Sequence, residues 1–255
     1  MHILVTNDDG VLAPGLAALA DAMKSLGRVS ILAPDHNWSG GGHVKTLHRP
    51  LRVHETALAD GTPALASDGA PSDCVALALL GRVAEKIDLV VSGINTFGNL
   101  GHDVTYSGTV TAAMEAVIAG VPGFAFSLAA DDATLERDYV TAAAYARRIV
   151  ATAVAAGLGK DLLLNVNVPC RPAAEIRGIR VTRLGLRVYR DRLDERRDPR
   201  GRPYYWIGGE YPTGVADAGT DFEALRDGYV SVTPLHLDLT SYPAVERLRG
   251  WQWAG

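Results

Sequence analysis

Two carboxylates stand side by side at Asp8 and Asp9, within Thr6-Asn7-Asp8-Asp9-Gly10. They follow the apolar run Ile3-Leu4-Val5, and no Lys or Arg lies within the next ten residues. Adjacent like charges repel, so the pair calls for something positive to face. A hard divalent cation is one answer, because such ions prefer oxygen ligands. A hydroxyl such as Ser39 and an amide oxygen such as Asn95 would complete an all-oxygen set with Asp8 and Asp9. Two carboxylates leave such an ion close to neutral, so an incoming phosphate is not repelled. The plainer alternative is a turn ahead of Gly10, with Asp capping the next helix.

Two further stretches suit an anion. In Ser39-Gly40-Gly41-Gly42-His43 the glycines let backbone N–H groups approach a ligand closely, and His43 could donate a proton or a hydrogen bond. Taken alone, the same stretch is a flexible surface loop. Ser107-Gly108-Thr109 reads as a helix start, where unpaired N–H groups and the macrodipole favour negative charge. Simple capping by Ser107 explains that segment equally well. Asn7 and Asn99 occupy the same polar loops, and with Gly40, His43, Ser107, Gly108 and Thr109 they form the candidate phosphate contacts. His102 and Asp103, just upstream of the helix start, are further polar candidates, whereas His2, His48, His54 and His236 show no ligand spacing.

Positioning these groups requires regular elements. Strand-like runs at 3–6, 29–34, 51–55, 64–67, 87–91, 123–128 and 162–168 alternate with helix-period segments at 14–26, 72–83, 107–119 and 138–156. That rhythm predicts a mostly parallel sheet covered by helices, a Rossmann-like α/β fold. In such a sheet ligands bind beyond the carboxyl ends of the strands. Asn7-Asp8-Asp9 follows the first strand, the 34–43 loop the second, and Ser92 to Gly101 the strand at 87–91. These three loops are expected to converge at one sheet edge.

From about residue 176 the texture changes. The polar run 189–203 is too charged for a core and reads as a hairpin arm or a solvated loop, with a final helix around 241–249. The organisation read from this is one domain over 1–255, with a core of about 1–175 and a C-terminal extension of about 176–255.

Hydrophobic residues make up 47% and charged residues 21%, enough for a full core. A net charge of −4 gives no general attraction to nucleic acid or anionic lipid. Cys74 and Cys170 lack metal-ligand spacing and read as ordinary thiols. The Ala-rich stretch 140–158 is interrupted by Arg147 and Arg148, so it does not read as a membrane span. With no basic leader ahead of the first strand, the expectation is a soluble cytoplasmic protein.

These motifs together resemble the SurE survival-protein family of nucleotidases. The resemblance rests on TNDDG (6–10) with APG (13–15), on APDHNWSG (33–40) and on TLHRPLRV (46–53). It continues through SDCVALAL (72–79), VVSGIN (90–95), NLGHDVTYSGTVTAAMEA (99–116) and LLNVNVP (163–169). It extends to RVTRLG (180–185), DPRGRPYYWIGG (198–209) and GTDFEALRDGYVSVTPL (219–235). Thr96-Phe97-Gly98, Gly69-Ala70-Pro71 and Gly41-Gly42-His43 depart from the family's usual residues without removing a candidate metal ligand.

The resemblance implies a divalent-metal-dependent phosphatase, with one Mg²⁺ or Mn²⁺ per subunit, acting on nucleoside 5′-monophosphates. It leaves 3′-monophosphates and short polyphosphate open as further substrates. Its metal ligands fall on Asp8, Asp9, Ser39 and Asn95, with Asp8 and Asp9 as the catalytic carboxylates. It also implies a homodimer or homotetramer built through the C-terminal β-hairpin and helix extension, the run near 189–203 serving as a subunit-exchange arm. Neither stable nucleic-acid binding nor membrane binding is expected. The chemistry read from this is attack by water on a metal-bound phosphate. Two alternatives stand beside it: an aspartyl-phosphate mechanism through Asp8, and a metal-gated nucleotide-binding module without turnover.

Overall fold

The apolar run His2–Thr6 is buried along its whole length and forms β1, near the middle of a nine-stranded sheet. The computed structural model describes residues 1–130, 139–210 and 212–253. After β1 come α1 (Pro14–Lys24), β2 (Arg28–Pro34), β3 (Val53–Ala57), β4 (Pro63–Ser67), α2 (Pro71–Leu77) and β5 (Leu89–Phe97). Next are α3 (Gly108–Ile118), β6 (Gly123–Ala130), α4 (Tyr139–Ala155) and β7 (Leu163–Pro169). The C-terminal third holds β8 (Ile179–Val181), β9 (Leu186–Val188), β10 (Asp191–Arg197), β11 (Pro203–Gly209) and β12 (Thr213–Val215). It ends with α5 (Asp221–Arg226), β13 (Val230–Leu235) and α6 (Tyr242–Arg249).

The sheet order is β3-β4-β2-β1-β5-β6-β7-β13-β8. From β4 through β7 neighbouring strands are parallel, while β3 and β13 run antiparallel to β4 and β7. The chain winds outward from β1 in one direction through β2 and in the other through β5. The β1/β5 boundary is therefore the switch point, where an open parallel sheet leaves a crevice beyond its carboxyl ends.

Alternation along the central strands divides the core. Ile3, Val5, Leu89 and Val91 face α1 and α4, where they meet Leu16, Leu19 and Ala146. Leu4 and Val90 face α2 and α3, against Val75, Ala112 and Ala116. Each fully buried Leu or Ile contributes about 1.5–3 kcal/mol over exposure, so both layers hold the strand ends firmly. Gly15 lets α1 press directly on β5, since a Cβ there would stand 2.0 Å from the Ile94 carbonyl oxygen.

Several boundaries differ from the sequence expectation. The strand expected to end at 91 continues to Phe97, so Asn95 lies within β5 rather than in a loop after it. The register against β6 shifts on either side of Asn95. The helix expected to reach Val83 ends at Leu77 and gives way to a wide turn in which Gly81 has φ of +114°. Residue 138, the expected start of the fourth helix, lies outside the described residues.

The polar run 189–203 resolves as part of the β10–β11 hairpin, in which every residue of both strands is exposed. The short helix α5 carries no amphipathic signal long enough to be read from sequence. The stretch beyond 175 also completes the main sheet, since β13 pairs with β7 and buries Val230 and Val232 in the core. Among the described residues no helix is long and apolar enough to cross a membrane.

Candidate active site

Backbone bonds at the carboxyl ends of β1 and β2 bring the first two loops together. Val11 N–H donates to Pro34 O at 2.8 Å, and Trp38 N–H donates to Asp8 O at 2.7 Å. Gly10, with φ of +103°, passes so close to His36 that a Cβ would meet its backbone at 3.4 Å. The Asn37 amide donates to Asp9 Oδ1 at 3.3 Å, while Asn37 Oδ1 accepts from Ser39 N–H at 2.7 Å. Ser39 is thus one residue removed from a side chain that touches Asp9. The first two of the three predicted loops do converge.

Asp8 is buried, and its Oδ1 accepts from the Thr109 hydroxyl at 2.5 Å. Burial pushes its pKa above the usual carboxylate value, opposed by the Thr109 hydroxyl and by the N–H groups of Gly108 and Thr109. Gly108 leaves room for this approach, since a Cβ at 108 would lie 2.7 Å from the Asp8 Cβ. Ser107 caps α3, its Oγ accepting from Val110 N–H at 3.1 Å. The start of α3 is therefore engaged by Asp8 itself, and a phosphate there would share donors with that carboxylate.

Thr6 pairs with Ser92 across β1 and β5. Among the described residues, Thr6 Oγ1, Asn7 Oδ1 and Ser92 Oγ are buried and meet no hydrogen-bond partner. Unpaired buried oxygens are costly unless a ligand or cation completes them. Asn95 donates its amide nitrogen to Phe97 O at 2.6 Å, which leaves its Oδ1 as the oxygen open to a ligand. Among the described residues no three His, Cys, Asp or Glu side chains converge as a metal site. A cation here would draw on hydroxyl and amide oxygens beside Asp8 and Asp9, a donor set that suits a hard ion.

Other predicted residues have definite partners. His43 Nε2 lies 3.0 Å from Glu115 Oε2, and Lys45 donates to the same carboxylate at 2.6 Å. Gly40 is exposed with φ of +77°, and Gly42 N–H donates to Tyr106 O at 2.9 Å, laying this loop along the start of α3. Asn99 is buried: its amide donates to Ser127 Oγ at 2.8 Å, and its N–H donates to Asn167 Oδ1 at 2.8 Å. Asn165 and Asn167 in turn donate to Asn99 O at 2.7 and 3.1 Å. A cavity of about 890 Å³ is lined by Leu79, Leu80, Val83 and Ile118, and also by Lys45 and Glu115, but by none of the predicted site residues.

Residues 3–191 match the family described as Survival protein SurE. The chain belongs to the SurE family. A protein named 5′-nucleotidase SurE from Herpetosiphon aurantiacus is 55% identical over 253 residues, covering 99% of each chain. Another of that name from Chloroflexus aggregans is 52% identical over 254 residues, covering 99% of this chain and 100% of its own. The crystal structure of the SurE protein from Aquifex aeolicus superimposes with a TM-score of 0.83 at 44% identity, covering 98% of both chains.

Within this SurE fold, the strands that carry the site also hold buried polar residues with no local motif of their own. Ser92 interrupts the apolar VVSGIN, Ser127 interrupts GFAFSL, and Asn165 and Asn167 interrupt LLNVNVP. Polar side chains at regular intervals in a strand buried on both faces were the available signal. Glu115, buried within an alanine-rich helix, carried the same signal.

Proposed function

We propose that this SurE chain hydrolyses nucleoside 5′-monophosphates to nucleoside and phosphate with the help of a bound divalent cation. The observation that carries this reading is Asp8: a carboxylate buried at the switch point, beside Asp9 and above three unpaired oxygens. Full-length relatives named 5′-nucleotidase supply the substrate class.

Asp8, Asp9, Ser39 and Asn95 would hold the cation, Mg²⁺ or Mn²⁺. When bound, such an ion neutralises phosphate charge and lowers the pKa of a bound water. Thr109 holds Asp8 in place through its hydroxyl. Asp9, less buried, orients the attacking water. Asn7, Gly40, the Ser107 hydroxyl and the N–H groups of Gly108 and Thr109 face the phosphate oxygens, where preorganised donors stabilise developing charge. Asn99 supports the loop after β5. His43 reaches the phosphate only by leaving Glu115, so its contribution is to anchor the Ser39 loop.

The same reading extends to assembly and location. The exposed β10–β11 hairpin and α6, which buries no residue, pair with another copy in a homodimer or homotetramer. An isolated two-stranded hairpin is marginal in water, which favours such pairing. The protein works in the cytoplasm, away from membranes and nucleic acid. Short polyphosphate and 3′-monophosphates belong in the same test.

That test is phosphate release from a panel of 5′- and 3′-mononucleotides and polyphosphate with Mg²⁺, Mn²⁺ and Ca²⁺. Turnover of 5′-mononucleotides with at least one ion is expected. Binding without turnover under every ion would replace the enzyme by a metal-gated binding module. Trapping of a phospho-aspartyl chain would replace water attack by a covalent step at Asp8.

A further inference from the structure

Away from the Asp8 and Asp9 carboxylates, two others join the C-terminal third to the approach to α3. Asp221 has no exposed surface, and it accepts from Gly101 N–H, Gly185 N–H and Phe222 N–H at 2.8, 2.8 and 2.9 Å. Asp103 is the second. Its Oδ2 lies 2.9 Å from Arg187 Nε, and its Oδ1 accepts from the Tyr189 hydroxyl.

Both carboxylates act on one tight turn, Gly101–Thr105, which leads directly into Ser107. Gly101, with φ of +53°, packs so closely that a Cβ would stand 2.6 Å from Gly185 O. Asp103 O then accepts from Tyr106 N–H at 2.9 Å and Ser107 N–H at 3.1 Å, carrying the turn into the capped start of α3. Thr109, the partner of Asp8, stands two residues beyond that cap.

A buried carboxylate is costly unless its hydrogen bonds are satisfied. Asp221 would therefore be a poor choice if its only task were to begin the short helix α5, where an exposed cap suffices. Its oxygens instead bridge two segments 84 residues apart in sequence, Gly101 and Gly185. The Arg187–Asp103 pair is largely shielded from solvent, with 12% and 18% of the side chains exposed. It is thus screened less than a surface pair.

We propose that Asp103 and Asp221 are positioning residues: from opposite ends they lock the 101–105 turn to the 185–189 segment, fixing where α3 begins and where Thr109 meets Asp8. The inference rests on Asp8 belonging to the reaction centre, as proposed above. Each carboxylate acts at a distance, through the 101–107 backbone that leads to Gly108 and Thr109 beside Asp8.

The test uses the full-length chain with Tyr189→Phe, Asp103→Asn and Asp221→Asn, and Arg147→Gln on the exposed side of α4 as control. Amide hydrogen exchange over 100–110 is measured beside kcat and KM for 5′-AMP with Mn²⁺. Exchange in that segment is expected to rise about tenfold while β1 and β5 keep wild-type protection. The kcat should fall about three- to tenfold, the size of one hydrogen bond, with KM changed less than about twofold. Arg187→Lys, which keeps the charge, should retain more activity than Arg187→Gln. Should Asp221→Asn fail to fold, Tyr189→Phe and Asp103→Asn carry the test.

Folded variants with wild-type kcat overturn the proposal, whether or not exchange changes. A wild-type chain without turnover of any mononucleotide would instead overturn the nucleotidase reading. Unchanged exchange over 100–110 would overturn the clamp in that case too.

Discussion

Gly108 lies directly against Asp8: a Cβ added at 108 would sit 2.7 Å from the Asp8 Cβ and 3.1 Å from its Oδ2. Helix propensity alone would favour Ala over Gly by about 0.5–1 kcal/mol. Overpacking costs about 1–3 kcal/mol, so Gly108→Ala is expected to fold with a modestly lower melting temperature while displacing Asp8. A shift of the order of 1 Å in a catalytic group can cost about 100-fold. Steady-state kinetics beside a thermal melt check this, and wild-type kcat/KM in Gly108→Ala would place Asp8 outside the reaction.

Thr109 gives Asp8 a side-chain hydrogen bond within a buried setting. A hydrogen bond to a charged group contributes about 1.5–3 kcal/mol. Thr109→Val keeps the shape and removes the donor, so kcat/KM should fall about 10- to 100-fold. Thr109→Ser keeps the hydroxyl and should stay near wild type. Equal activity in both variants would show that Asp8 needs no orientation from α3.

Chelation with EDTA should abolish turnover, and Mn²⁺ or Mg²⁺ should restore it. An ion bound only by the folded state raises stability by about 2.7 kcal/mol at 100 times its dissociation constant. The wild-type melting temperature should therefore climb with added metal. Asp8→Asn and Asp9→Asn should lose that climb and weaken calorimetric metal affinity by more than about 100-fold, beyond the loss typical of an outer partner. An unchanged metal response in both variants would move the ion elsewhere.

The parts of the site carried by local sequence were legible before the fold. Thr6 to Gly10 after an apolar strand, and a polar glycine loop after the next, already implied one crowded sheet edge. Parallel-sheet topology then put both loops at the β1/β5 switch point. What could not be read are contacts set by tertiary packing. Thr109 and Asp8 are 101 residues apart, and nothing local says that the start of α3 serves a carboxylate before any phosphate. Sequence alone places Asn95 in a loop after a strand that ends at 91, whereas pairing with β6 carries β5 on to Phe97. Insertion of β13 between β7 and β8, antiparallel to the first and parallel to the second, is likewise invisible locally, since YVSVTPL shows only that it is a strand.

Tyr189 offers a pH test of the C-terminal clamp. Partial burial, then the hydrogen bond to Asp103 and its charge, push its pKa up from 10.0 to about 12. Between those values the folded chain keeps a proton that the unfolded chain has released. Stability then falls as pH rises, because the folded state binds more protons there. The contribution of this contact is thus fully present below pH 10 and is lost as pH climbs towards about 12. Tyr189→Phe lacks that titration. Urea melts from pH 8 to 12 should show wild type losing its advantage over Tyr189→Phe only above about pH 10. A difference between the two chains that stays constant across the range would mean that Tyr189 does not donate to Asp103 in solution.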